Sequence, residues 1–191
     1  MRAARGDDEG AAAVPDFFEP VVGWRVWRVV RRRRRAVLAS LFVNVVWPSR
    51  TPLDAQCHKL TGFHGSGHPA PDASCVCGIY ATRLETIDWE FLVSFPLLLR
   101  PPVIGRVSLW GSVIEAERGW RASRGYPERI YVPALGRFGL RRARRTAASL
   151  EHYGVPVELL PVGSLAEVVP ALELRFPRGD TYEPYHDSVA A

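Results

Sequence analysis

Hydrophobic and polar positions alternate with a period of two along much of this chain, which predicts a sheet before any other feature is considered. Over residues 21–28, Val22, Trp24 and Val26 interleave with Arg25 and Arg28, and β-branched and aromatic side chains dominate. Residues 37–47 are apolar on both faces, the pattern of a buried second strand. Between them stand Arg31, Arg32, Arg33, Arg34 and Arg35, which places five arginines at the tip of a predicted β-hairpin. Residues 103–114 alternate again, with Val107, Leu109 and Val113 on one face and Arg106, Ser108 and Ser112 on the other. Glu117-Arg118-Gly119 predicts a turn into Trp120-Arg121-Ala122-Ser123, and Ile130-Tyr131-Val132 a further short strand.

The period changes clearly once. Over residues 138–153, Leu140, Ala143, Ala147 and Leu150 fall on one helical face while Arg141, Arg142, Arg144 and Arg145 point elsewhere, and Gly154 supplies a stop. Residues 155–160 return to strand character, with Pro156 placing that strand at an edge. Two short helices are also expected: one from Thr86 up to Pro96, and one near Ser164, whose hydroxyl is spaced to cap it together with Glu167. These patterns define an α+β fold: a single domain over residues 16–177 with a strand-rich mixed or antiparallel sheet, flanked by flexible tails at 1–15 and 178–191.

Composition adds bounds. The chain has 191 residues, nearly half hydrophobic, with six tryptophans, enough for a packed core. It carries a formal charge of +5, and Lys59 is the one lysine among 25 cationic residues. An arginine-rich genome composition is the bland source of that bias. The guanidinium fork nevertheless suits phosphate and carboxylate, so an anionic partner such as nucleic acid is allowed. The opening residues are charged and small, with no apolar stretch of a secretion signal, so a cytoplasmic location is expected. The apolar segment 36–47 is too short, and is interrupted by Ser40 and Asn44, so no membrane span is predicted.

The strongest chemical signal is a crowd of metal ligands. All three cysteines and three of the five histidines lie between residues 57 and 77: Cys57, His58, His64, His68, Cys75 and Cys77. The surrounding loop is punctuated by Gly62, Gly65, Gly67, Pro69 and Pro71, and offers only Leu60 and Phe63 as large apolar side chains. A loop with so little to bury needs another means of holding its shape, and tetrahedral zinc supplies one. The preferred ligands are Cys57, His68, Cys75 and Cys77, with His64 the rival for the fourth place and His58 set aside because it neighbours Cys57. Cys75-Val76-Cys77 is tighter than the usual two-residue gap. An extended chain would splay those sulfurs, so a sharp bend is required, which Gly78 permits. The spacing matches neither the paired C-x-x-C of zinc ribbons nor a C₂H₂ finger. Three thiolates make zinc a poor Lewis acid, so a closed structural site is expected, and the deaminase and H-E-x-x-H signatures are missing.

No phosphate-binding glycine motif or nucleophile elbow occurs, so no nucleotide cofactor is expected and no catalytic residue is assigned. Buried tryptophans are the ordinary expectation. Trp24, Trp27 or Trp110 on an exposed sheet beside Arg25, Arg28 and Arg106 would instead suit single-stranded nucleic acid. The expected function is a small zinc-binding, non-enzymatic module that contacts an anionic or protein partner through Arg31–Arg35 and Arg141–Arg145. The alternative is a metalloenzyme using the same cluster with an open coordination position.

Overall fold

A computed structural model describes residues 16–33, 35–57, 68–88 and 102–177. The expected tails and residues 58–67 and 89–101 lie outside the described residues, as does Arg34. Seven strands form one mixed sheet: β1 (Asp16–Arg32), β2 (Arg35–Ser40), β3 (Leu53–Asp54), β4 (Ile79–Thr82), β5 (Val103–Ala116), β6 (Gly119–Leu135) and β7 (Val157–Val162). Helix α1 (Gly136–Leu150) joins β6 to β7, and the short α2 (Val168–Glu173) follows.

The three long strands form the frame. β1 pairs with β5 and β5 with β6, all antiparallel, so that Val107, Leu109 and Val113 turn inward as their alternation predicts. β4 lies on the outer edges of both β1 and β6: Trp24 pairs with Thr82, and Ile79 to Thr82 pair with Ala122 to Gly119. The ladder β1–β5–β6–β4 therefore returns to β1 and closes a small ring. Two apolar clusters flank it. One holds Trp27, Leu38, Trp47, Ile79 and Val107 with Leu150 and Tyr153 from the helix end, and the other holds Trp24, Ile104, Tyr131 and Leu160 with Leu172 of α2.

Several elements depart from their sequence-based outlines, each for a local reason. The apolar run 37–47 is a strand only as far as Ser40. There the chain folds back, Ser40 N–H donating to Val45 and Trp47 N–H to Leu38, so that Val46 bridges Ala39. The two short strands expected within 119–135 are one continuous β6. Pro127 sits at a register shift opposite Arg106 and Val107, where a missing N–H costs no ladder bond. β7 is parallel to β6, which makes β6–α1–β7 a crossover unit. A 3₁₀ turn covers Leu84–Thr86, and the helix expected from Thr86 up to Pro96 lies mostly outside the described residues. α1 runs as predicted and passes into a second 3₁₀ turn, Glu151–Tyr153, which Gly154 ends in the left-handed conformation at φ 73°. At the last helix the Ser164 hydroxyl does not cap the backbone. It donates to the Glu167 carboxylate, which also accepts the Gly163 N–H.

Candidate metal centre

The topology explains why distant cysteines meet. β3 and β4 both run antiparallel to β6 along the same edge, Leu53–Asp54 facing Gly125–Arg124 and Ile79 onward facing Ala122 onward. Ala55 extends the first ladder by donating to Ser123. The exit of β3 and the entry of β4 therefore face adjacent residues of β6, and Cys57 and Cys77 sit just beyond those two ends.

The loop between them is shaped locally. Asp72 accepts hydrogen bonds at Oδ1 from the Ser74 N–H (2.8 Å) and hydroxyl (2.6 Å), while Cys75 N–H donates to the Asp72 carbonyl at 3.1 Å. This side-chain-braced turn delivers Cys75 inward. These two bonds from Ser74 also hold the Asp72 carboxyl below its usual range. After Cys77 the chain bends at Gly78, with φ 121°. A Cβ there would stand 3.1 Å from that of Pro71 and 3.2 Å from that of Arg121, so the conformation calls for glycine and the space for a side chain is tight. Val76, between the two cysteines, is turned out to solvent and is 77% exposed.

One donor atom from each of Cys57, His68, Cys75 and Cys77 lies within 4.8 Å of the others. The sulfurs of Cys57 and Cys75 are 3.7 Å apart, far beyond a disulfide bond. Two thiolates at about 2.3 Å on tetrahedral zinc would be separated by about 3.8 Å, so this pair is already at ligand spacing. Cys77 Sγ is 4.0 Å from His68 Nδ1. Cys75 is buried, while Cys57 and Cys77 are half-buried.

The protonation of the cluster sets what a metal must overcome. His68 Nδ1–H donates to the Pro69 carbonyl at 2.9 Å, which in the neutral ring leaves Nε2 with its lone pair. That same bond is the first cause of a raised imidazole pKa. Burial, with the neighbouring thiols adding to it, pushes the Cys77 thiol above its ordinary value. A metal binding here must displace protons from groups that hold them more firmly than in free side chains.

Arg121 of β6 is a contributor the sequence reading did not single out. Its Nη1 donates to the carbonyls of Cys75, of Cys77 (3.1 Å) and of Asp72 (3.4 Å), fastening the bend to the sheet. No local pattern announces this, because Arg121 is more than 40 residues from the carbonyls it holds. The turn of Asp72 and Ser74 was open to reading, as Asp-x-Ser directly before a cysteine is a turn signal.

The other predicted residues fall as follows. His58 and His64 lie outside the described residues. Arg31, Arg32, Arg33 and Arg35 are exposed at the β1–β2 tip, where Arg32 pairs with Arg35 and Arg33 is left-handed. Arg141, Arg142, Arg144 and Arg145 are exposed on α1. Trp24 and Trp27 are core residues and offer no exposed face for base stacking, and Trp110 is only partly exposed. Among the described residues no helix is long and apolar enough to cross a membrane.

The class that fold and site define is an α+β domain with a three-cysteine, one-histidine group able to hold a metal ion. The chain matches no known family, no curated protein and no solved structure.

Proposed function

We propose that this chain is a zinc-stapled, non-enzymatic binding module whose arginine-rich surface takes a polyanionic partner, nucleic acid first among them. The observation that carries the zinc reading is the convergence of four donors within 4.8 Å, two of the sulfurs at 3.7 Å. Thiolate and imidazole together favour zinc over the hard cations, which prefer oxygen. Four protein donors fill a tetrahedron and leave no position for water, which supports a structural role over the metalloenzyme alternative. The ion would lock the β3 exit to the β4 entry, in a loop with little apolar surface to do so.

Elemental analysis of protein purified without chelator is expected to give one zinc per chain. A Cys75→Ser/Cys77→Ser variant is expected to lose it and to melt at lower temperature. Reduced, folded wild-type protein with no stoichiometric metal would sink the reading.

A further inference from the structure

The second feature of interest is a break in the sheet. Along one edge of β1, pairing with β4 ends at Trp24 and pairing with β2 begins at Trp27, so Arg25 lies where the two neighbours part. The Arg25 guanidinium spans this gap. It donates through Nη1 to the Tyr80 carbonyl of β4 and through Nη2 to the Ser40 hydroxyl at 3.1 Å, and it stacks over Trp47 at 5.1 Å. Its Nε is buried with no hydrogen-bond partner, and no carboxylate pairs with it among the described residues. Burial pulls its pKa down to about 10, still far above neutrality, so the group is a cation at pH 7. A cation with a buried, unbonded Nε and no paired carboxylate among the described residues calls for an anion.

Two clefts open from this point, of about 660 Å³ and 490 Å³, and share Arg25, Ser40, Val43 and Tyr80 in their walls. Each is within the size of a small-molecule site. The walls are mostly apolar, and they gather side chains that a soluble domain seldom leaves out together. The large apolar residues exposed among the described ones are Phe42, Val43, Val76, Tyr80 and Leu174, and all but Leu174 line one or both clefts. Asp88 and Arg118 both line the larger cleft with Arg25, so its charged side chains carry a net positive charge.

We propose that this groove binds a small amphipathic anion, a carboxylate on an apolar chain, with the carboxylate at Arg25 and the chain along Phe42, Val43 and Val76. The Arg25 end of the groove lies apart from the cysteines, while Cys57, Cys75 and Cys77 form part of the wall of the smaller cleft.

The test is calorimetric titration of the full chain with decanoate, with its uncharged counterpart decanol, and with acetate. Decanoate is expected to saturate at one equivalent and to bind at least about tenfold more tightly than decanol, since a charge-assisted pair to a desolvated arginine separates them. Acetate, lacking the chain, is expected to bind at least about tenfold more weakly than decanoate. Arg25→Met should erase the preference for decanoate over decanol. Should that variant fail to fold, Val43→Asp, at a half-exposed position of the rim, is expected to weaken decanoate about tenfold with an unchanged circular dichroism spectrum. Absence of decanoate binding, equal binding of decanol, or undiminished binding by the Val43→Asp variant would each overturn the proposal.

Discussion

At the scale of a residue, Tyr153 shows how one polar atom organises the core. Its hydroxyl accepts the Leu38 N–H at 2.8 Å and donates to the Trp47 carbonyl at 2.8 Å, tying the helix end to the doubled-back segment after β2. Removing it by Tyr153→Phe leaves two buried backbone groups unpaired, which costs about 2 kcal/mol. For a chain of this length that is a fall of about 4–8 °C in Tm. The phenol also carries a pH signature. Burial pushes its pKa up to about 12 from the ordinary 10, so the folded state holds the proton that the unfolded state releases. The contribution is complete below pH 10 and is lost as the pH climbs through 12. The stability gap between wild type and Tyr153→Phe in urea unfolding should therefore shrink by about 1 kcal/mol per pH unit above 10. A gap independent of pH would show that the hydroxyl does not titrate as its burial requires.

Among elements, the bend Cys75–Cys77 and strand β6 depend on each other through Arg121. The Arg121 side chain points back from a strand to three carbonyls of an otherwise thinly held loop. Because groups that orient ligands are worth about 10–100-fold in metal affinity, Arg121→Ala is expected to weaken zinc binding by at least tenfold in competition with a chromophoric chelator. Arg121→Lys is expected to recover only part of the loss, since an ammonium cannot reproduce the planar fork. Unchanged affinity in Arg121→Ala would remove the strand from the account of the site. Cys57, His68, Cys75 and Cys77 were legible because ligand chemistry is written in residue type, and the need for Gly78 because a one-residue gap between cysteines forces a bend. Arg121 was not legible, because its role depends on β3 and β4 meeting end to end on β6, a pairing that no short-range pattern encodes. The same cause hid the length of β6 and the fold-back at Ser40. Residues 37–47 read as one strand because nothing local marks the fold-back that Ser40 and Trp47 make with Val45 and Leu38.

The whole molecule brings together two arginine-rich segments that are far apart in sequence. α1 packs against β2 as well as β6 and β7, and Val29 of β1 shares a shallow groove with Arg142 and Thr146 of α1. The hairpin and the helix are thus neighbours, and both carry exposed arginines on a chain of net charge +5. Surface cations attract a polyanion by releasing its counterions, and each phosphate neutralised adds about 0.7 to the salt slope for a single strand. A fluorescently labelled single-stranded oligonucleotide is therefore expected to bind with an affinity that falls steeply as salt rises. Arg141→Gln/Arg144→Gln/Arg145→Gln and Arg31→Gln/Arg32→Gln should each lower both affinity and slope, because they subtract phosphate contacts without touching the core. If both sets lower the slope and their effects add, the two segments contact one strand together. If neither does, binding does not run through this surface. Failure to bind at low salt would withdraw the polyanion from the proposed function and leave the zinc reading to stand on metal analysis, since the cluster and the basic region share no residue.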